Sequence, residues 1–279
     1  DLGVAFDKKG AGFSYTKEGA HSRARILHCK DMTGKEINSK LIAQVKELKN
    51  VSIFENSTLV DLLVAGDRCH GAVLRDQAGK LSNVYAQSTL LATGGIGGLF
   101  SKTTNFAHLT GDAIAIALKH GIRVKDLDYV QIHPTSLYTG RSGRAFLMSE
   151  SLRGEGAILV GKDGQRFADE LLPRDLLTKA IYTQMEKDRL PYVRMLLKGH
   201  VEESIAGRFP GIHAHCLQEG YDLVEDYIPI VPVQHYFMGG IAVDLNSKTS
   251  LANLYAAGET SCNGVHGKNR LASNSLLES

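Results

Sequence analysis

The sequence lacks the features of membrane proteins, nucleic-acid-binding proteins and disulfide-rich secreted proteins. It has no run of about 18 apolar residues, so we expect no segment that spans a bilayer. Its net charge is +2 with no basic block, which argues against nucleic acid or an anionic membrane as a partner. The four cysteines stand far apart and form no CxxC pair. This pattern argues against a disulfide framework or a zinc site and favours a reducing, cytoplasmic compartment.

The chain also has no initiator methionine, no signal-peptide pattern, no internal repeat and no low-complexity tract. It does have the composition of a globular protein, with 43% hydrophobic residues, 22% charged residues and 29 glycines among 279 residues. The many glycines indicate tight turns. The length suits one large domain or two domains of ordinary size.

Hydrophobic periodicity predicts helices and short strands in alternation. Residues 33–48 are predicted to form a helix that begins with a capping box of Thr33 and Glu36. The apolar face of this helix consists of Ile37, Leu41, Val45 and Leu48. Residues 51–95 are predicted to form several strands, with a hairpin turn at Gly66-Asp67 and a buried parallel strand in STLLATGG. Further helices are predicted from Thr110 to a stop at Gly121, after Pro173, and over 201–209 and 213–219.

The pattern of predicted secondary structure changes after residue 130, and this change predicts an inserted domain. Residues 131–236 mix loops, turns and amphipathic helices, whereas residues 237–279 return to short apolar strands. The simplest organisation is an α/β domain over 1–130 that resumes at 237–279, after an inserted α+β domain over 131–236.

Two apolar strands that end in glycines are the first indication of a ligand site. The segments LLATGGIGG and LYAAGET each place glycines at the carboxyl end of a buried strand. Ligands of open α/β sheets bind at such ends, where backbone N–H groups can approach a phosphate or a ring. Each segment alone is equally well explained as a tight turn. Together with Glu259, an acid suited to ribose or ribityl hydroxyls, they favour a dinucleotide, although no GxGxxG fingerprint follows a first strand.

Arginines and histidines in loop-to-helix contexts are the second indication. Arg153, Arg174 and Arg270 occur in SLRGEG, LLPRDLL and GKNRLASNS, and arginine recognises carboxylates through paired hydrogen bonds. A single arginine is more often a surface residue or half of a structural ion pair. Together with His133 and His235, the three arginines predict a pocket for a small dianionic acid.

The third indication is the start of the last helix, in NRLASNSLL. Ser273, Asn274 and Ser275 can leave backbone N–H groups pointing at a ligand, with the positive end of the helix dipole behind them. One such residue is enough for a plain N-cap. A helix directed at a reduced flavin would use this arrangement, because it stabilises developing negative charge.

Taken together, the motifs HPT, SESLRGEGA, LLPRDLL, HYFMGGIAVD, LYAAGE and GVHGKNRLASNSLLE occur in an order that resembles a known family. This family comprises the flavoprotein subunits of succinate dehydrogenase and fumarate reductase and their relative L-aspartate oxidase. The resemblance covers essentially the whole chain and is weakest across 190–225. It implies an α/β, Rossmann-like FAD-binding domain that is N-terminally incomplete, with an inserted α+β capping domain. Residues 1–130 and 237–279 would form the FAD-binding domain, truncated in its last helix, and 131–236 the cap.

The segment TKEGAHSRARILHCKDMTGKEI, residues 16–37, is similar to a stretch of the L-aspartate oxidase branch. The dicarboxylate reductases typically have an uncharged residue at the position of Glu18. Aspartate is succinate that carries an α-ammonium group, and a carboxylate at Glu18 can receive that charge. Otherwise Glu18 is a loop acid beside Lys17. The resemblance therefore favours FAD-dependent oxidation of L-aspartate to iminoaspartate, with O2 or fumarate as acceptor, in the quinolinate route to NAD.

The resemblance also implies roles for individual residues. Arg270 and His235 would bind one substrate carboxylate, and His133 with Ser149 the other. Arg174 would transfer a proton, with its acidity tuned by burial and by Glu155. The FAD contacts would be Thr58, Leu59, Thr93, Gly94, Asp112, Glu259, Ser275 and Leu276. No metal is implied, and quinolinate synthase is a possible downstream partner.

The sequence departs from the family pattern at several positions. Ser149 replaces a common threonine and keeps its hydroxyl, whereas Lys268 adds a cation near the predicted pocket. The missing GxGxxG unit is more serious, because it predicts a central fragment that binds FAD weakly or not at all. The alternatives are a soluble fumarate reductase or succinate dehydrogenase flavoprotein, or an inert fragment without flavin.

Overall fold

The computed structural model describes residues 2–201 and 205–279. The helices in these ranges are α1 (Thr33–Glu47), α2 (Asp112–Lys119), α3 (Glu150–Gly154), α4 (Arg174–Asp188), α5 (Ile205–Arg208), α6 (Pro210–Gln218) and α7 (Ser275–Glu278). Short 3-10 turns occupy Gly97–Leu99 and Gly258–Thr260. None of the helices in the described ranges combines the length and apolar character that a bilayer crossing requires.

The strands are short and numerous. They are β1 (Lys8–Lys9), β2 (Gly12–Phe13), β3 (Tyr15–Thr16), β4 (Ile26–Leu27), β5 (Thr58–Ala65), β6 (Arg68–Arg75), β7 (Leu81–Tyr85), β8 (Thr89–Leu91), β9 (Lys102–Thr103), β10 (Val124–Lys125), β11 (Val130–Leu137), β12 (Gly143–Arg144), β13 (Ile158–Val160), β14 (Val193–Leu196), β15 (Ile228–Phe237), β16 (Gly240–Ala242), β17 (Leu254–Ala256) and β18 (Ser261–Cys262). The longest, β15, carries the segment IPIVPVQHYF.

The chain divides into two compact units. Unit 1 comprises Asp1–Ile53, Pro134–Arg141 and Phe146–Val233, and unit 2 comprises Phe54–His133, Ser142–Ala145 and Gln234–Ser279. The chain passes between the units five times: after Ile53, within β11, after Arg141, after Ala145 and within β15. The first 53 residues, however, group with unit 1, whereas the sequence prediction assigned them to the FAD-binding domain.

Unit 1 is built around an antiparallel sheet and helix α4. Strand β14 pairs with β13 on one side and with the start of β15 on the other. Helix α4 begins after Pro173, whose fixed φ suits a helix start, and ends at Arg189 in a left-handed conformation with φ 53°. Its Leu177 and Ile181 are fully buried in the unit 1 core. Burial of each such side chain contributes roughly 1.5–3 kcal/mol.

Unit 2 contains the β5–β6–β7 meander, the parallel pair β8–β17 and helix α2. The predicted turn at Gly66-Asp67 is confirmed, and Gly66 has the left-handed φ of 60° that glycine tolerates. The prediction of a parallel strand in STLLATGG is also confirmed, because β8 pairs with β17. Helix α2 ends at Lys119, and its C-cap, His120, is followed by Gly121 with φ 65°, the predicted stop.

Helix α1 forms where the periodicity predicted it, but its predicted capping box is wrong. Its N-cap is Met32, without a side-chain capping bond. The Thr33 hydroxyl instead accepts from the Cys29 N–H at 3.0 Å, and the Glu36 carboxylate accepts from the Ala5 N–H at 3.2 Å. No α1 residue is buried, so the chain's own packing does not cover its predicted apolar face.

Candidate active site

The two glycine-ended strands of unit 2 bring their loops together, as their sequences predicted. Strands β8 and β17 run parallel with Leu91 opposite Ala256. Beyond them, the Thr260 hydroxyl donates to the Gly94 carbonyl at 3.1 Å, and the Thr93 hydroxyl lies 3.2 Å from the Thr260 hydroxyl. Because the Thr260 hydrogen is given to Gly94, Thr93 is the donor in the second bond. The ends of the two strands therefore form one hydrogen-bonded edge.

Glu259 lies against the backbone of this edge. Its Oε1 accepts a hydrogen bond from the Phe237 N–H at 2.8 Å. A Cβ at Gly95 would lie 2.3 Å from the same oxygen, so a side chain at this position would displace the Glu259 carboxyl group. Burial raises the pKa of Glu259 to about 7. A buried carboxyl group that titrates near neutrality can accept or donate a hydrogen bond, which fits a hydroxyl-bearing ligand such as the ribityl or ribose part of FAD.

The other residues predicted to meet FAD also belong to unit 2. Asp112 lies in the first turn of α2, where its carboxylate accepts from the Thr110 hydroxyl at 2.8 Å. Thr58 and Leu59 open strand β5, and Ser275 and Leu276 begin helix α7. The N-cap of α7 makes no side-chain capping bond.

Two predicted substrate-binding histidines lie together in unit 2. The rings of His133 and His235 meet edge to face, with their centroids 5.0 Å apart. The Nδ1 atom of His235 lies 2.7 Å from the Thr104 hydroxyl. The Asn105 amide donates to the His235 carbonyl at 2.9 Å and to the Thr104 hydroxyl at 3.3 Å. No sequence pattern indicates that Thr104 and Asn105 contact His235, because they are 131 and 130 residues away from it in the chain.

Arg270, the third predicted carboxylate-binding residue of unit 2, is buried. Its guanidinium carbon lies 4.3 Å from the centroid of the Tyr236 ring. The Tyr236 hydroxyl donates to Glu278 Oε2 at 2.8 Å, and His266 Nε2 lies 2.6 Å from the same oxygen. Burial, followed by the nearby Glu278 carboxylate, raises the pKa of Tyr236. Tyr236, His266 and Glu278 were not among the predicted site residues, although each lies inside a motif that carries the family resemblance.

Unit 1 contains a buried cluster of arginines and a carboxylate. The Arg174 Nε and Nη2 atoms donate to Glu150 Oε2 at 2.9 and 2.7 Å, and Arg153 Nη2 lies 3.2 Å from Glu150 Oε1. Burial alone would raise the pKa of Glu150, but Arg174 and Arg153 hold it below its usual value. Burial also lowers the pKa of Arg153. Glu150 thus connects two guanidinium groups.

Glu150, rather than the predicted Glu155, is the carboxylate that pairs with Arg174. Glu155 caps the C-terminus of α3, its side chain is 43% exposed, and its Oε1 lies 3.9 Å from Arg208 Nε. The sequence contained a signal for Glu150, because Glu150 and Arg153 are three residues apart on α3 and share one helix face.

Glu18 and Ser149 lie beside this cluster. The Ser151 hydroxyl donates to Glu18 Oε1 at 3.4 Å, and the Ser149 hydroxyl caps α3 by accepting from the Ser151 N–H at 3.2 Å. A Cβ at Gly19 would lie 2.2 Å from Glu150 Oε1, so the glycine after Glu18 lets the loop approach the carboxylate. Within the described residues, no group of three or more histidine, cysteine or acidic side chains is arranged to hold a metal ion.

Comparison with known proteins identifies the family. Residues 1–276 match the family described as an FAD binding domain. The chain belongs to this FAD-binding family. The predicted α/β FAD-binding fold and the predicted cofactor, FAD, are therefore confirmed.

Among curated proteins, the chain is 51% identical to an L-aspartate oxidase of Clostridium perfringens over 279 residues, covering 100% of this chain and 63% of the relative. It is 50% identical to an L-aspartate oxidase of Clostridium acetobutylicum, covering 100% of this chain and 64% of the relative. The chain thus spans less than two thirds of the length of these relatives. The predicted relationship to L-aspartate oxidases is confirmed.

Among solved structures, the chain is similar to a variant of the E. coli quinol fumarate reductase, with a TM-score of 0.90 and 31% identity, over 99% of this chain and 51% of that one. A quinol-fumarate reductase with menaquinol molecules gives a TM-score of 0.91 and 32% identity, over 99% of this chain and 52% of that one. The predicted relationship to fumarate reductase flavoproteins is confirmed as well.

Proposed function

We propose that this chain is the core of an FAD-dependent enzyme that oxidises L-aspartate to iminoaspartate. The observation that carries the proposal is the 51% identity to an L-aspartate oxidase along the whole chain. The oxidation removes two electrons and two protons from the substrate. With O2 as acceptor the second product is hydrogen peroxide, and with fumarate it is succinate.

Dicarboxylate binding is assigned to the buried arginine and the two histidines of unit 2. Arg270 and His235 receive one carboxylate of the substrate, and His133 receives the other. Arginine suits this role because its planar fork donates two parallel hydrogen bonds to one carboxylate. Glu18 receives the α-ammonium group, the group that distinguishes aspartate from succinate.

Bound FAD supplies the acceptor for the hydride that leaves the substrate. We assign the transfer of a proton to the Arg174 guanidinium, which Glu150 holds through two hydrogen bonds. Glu150 also contacts Arg153 through its other oxygen, so hydrogen bonds and an ion pair connect Arg174 to a second guanidinium group and hold it in place.

The product, iminoaspartate, would enter the quinolinate route to NAD, with quinolinate synthase as the enzyme that consumes it. A cytoplasmic location, predicted from the isolated cysteines, belongs to the same proposal. In support, the four cysteine thiols are unpaired, and Cys69, Cys216 and Cys262 are buried.

A fumarate reductase or succinate dehydrogenase flavoprotein is the second candidate, favoured by the TM-scores of 0.90 and 0.91. Peroxide formation by the FAD-loaded protein distinguishes the two candidates. We expect peroxide with L-aspartate and none with succinate. Oxidation of succinate without oxidation of aspartate would establish the second candidate. An inert fragment would show no flavin absorbance after loading and desalting.

A further inference from the structure

The short segment that follows β9 is joined to the end of β15 by a set of backbone and side-chain hydrogen bonds. The Thr104 N–H donates to the Gln234 carbonyl at 3.0 Å. The Asn105 amide nitrogen lies 2.9 Å from the His235 carbonyl oxygen. Since a carbonyl oxygen only accepts, this contact fixes the orientation of the Asn105 amide, with its NH2 group toward His235.

The orientation of Asn105 determines the direction of the remaining bonds. The amide nitrogen has a second hydrogen, and the Thr104 hydroxyl lies 3.3 Å away to accept it. The hydroxyl keeps its own hydrogen for another acceptor, and the His235 Nδ1 atom is 2.7 Å away. When Thr104 donates to Nδ1, both amide hydrogens of Asn105 and the hydroxyl hydrogen of Thr104 have an acceptor. The ring is then the tautomer with its hydrogen on Nε2.

We propose that Thr104 and Asn105 are positioning residues that hold neutral His235 in the Nε2–H tautomer, so that this nitrogen donates to a carboxylate of the bound dicarboxylate. The inference rests on the proposed function for the identity of the ligand. The opposite tautomer would present a lone pair to the carboxylate and repel it. Thr104 therefore acts on substrate affinity through His235 and does not itself touch the reacting atoms.

Replacement of Thr104 by valine tests the proposal, because valine has nearly the same shape and lacks the hydroxyl. KM for L-aspartate is expected to be about tenfold higher in the FAD-loaded Thr104→Val protein, with a much smaller change in kcat. The reason is that His235 loses its orientation, and with it the hydrogen bond from Nε2–H to the charged carboxylate of the substrate. Thr104→Ser restores the hydroxyl and is expected to restore KM. Thr183→Val is the matched control, since the Thr183 hydroxyl is exposed and donates to the Lys179 carbonyl within α4.

The tautomer is measured independently of turnover by nitrogen NMR of the histidine-labelled, FAD-loaded protein. A His235 signal with the hydrogen on Nε2, lost or broadened in Thr104→Val, supports the proposal. A hydrogen on Nδ1 in the unsubstituted protein overturns it, even if Thr104→Val fails to fold. An unchanged KM in a folded Thr104→Val protein also overturns it. If aspartate is not a substrate at all, the proposed function fails, while the NMR result still decides the tautomer.

Discussion

At the scale of single residues, the predicted site depends on charges that are buried and paired. The Glu150 side chain is 3% exposed. It pairs with the side chains of Arg153 and Arg174, which are 0% and 7% exposed. Such a group is stable only while its partners are present, because a buried charge without a partner is strongly destabilising. Glu18 is only partly buried, and its proposed partner is a charge on the substrate.

Glu150→Gln is expected to lower the free energy of unfolding by about 3–5 kcal/mol, because Arg174 and Arg153 lose their shared carboxylate. Urea unfolding measures the change. Glu225→Gln is the matched control: its ion pair with Lys198 is exposed on both sides, so we expect no measurable change. Equal effects of the two substitutions would contradict the structural role given to Glu150.

Glu18→Gln is expected to remove most of the activity with L-aspartate and to spare the reduction of fumarate, which has no ammonium group. The substitution removes the charge of the carboxylate to which the α-ammonium group is assigned. Steady-state kinetics with both substrates measure the difference. If both activities fall equally, Glu18 does not receive the amine.

Glu259 should make the stability of the FAD-free protein depend on pH. Folding raises its pKa from 4.5 to about 7, so the folded protein binds the proton more tightly than the unfolded chain does. The stabilisation from this proton is therefore fully present below about pH 4.5 and is lost as the pH rises to about 7. The difference amounts to about 3 kcal/mol. Unfolding experiments across this range should show a decline that Glu259→Gln reduces. An identical pH dependence in the two proteins would contradict the shift.

At the scale of elements, the sequence predicted what depends on local patterns. The Gly66-Asp67 hairpin, the parallel strand β8 and helix α4 follow from periodicity and turn residues alone. The predicted capping box of α1 is wrong because the Thr33 hydroxyl accepts a hydrogen bond from the Cys29 N–H instead. This contact with the preceding loop is not encoded in the helical pattern. Glu150 was missed as the partner of Arg174 because the two lie 24 residues apart on different helices.

The loop after β8 requires its glycines for packing against other parts of unit 2. Gly95→Ala would force a Cβ to within 2.3 Å of Glu259 Oε1, and such crowding typically costs about 1–3 kcal/mol. We expect lower stability and weaker FAD binding, measured by thermal unfolding and flavin titration. Gly34→Ala is the control, because no atom lies within 4 Å of its added Cβ. An unaffected Gly95→Ala protein would show that the loop adjusts freely.

At the scale of the whole molecule, membership of the FAD-binding family and the proposed substrate rest on different evidence. The cofactor follows from a match over residues 1–276. The substrate rests on the identity to L-aspartate oxidases and on Glu18. The predicted substrate residues are divided between the units, with Glu18, Ser149 and Arg174 in unit 1. Sequence motifs identified these residues, but only the structure revealed the hydrogen bonds that orient them.

The central claim is that L-aspartate gives its electrons to FAD on the enzyme of which this chain is the proposed core. The most direct test is an anaerobic titration of the FAD-loaded protein with L-aspartate, followed through the absorbance of oxidised flavin. We predict that one equivalent of L-aspartate bleaches the flavin, that succinate does not, and that admission of O2 restores the colour with formation of peroxide. A flavin that stays oxidised with L-aspartate and is bleached by succinate would contradict the account.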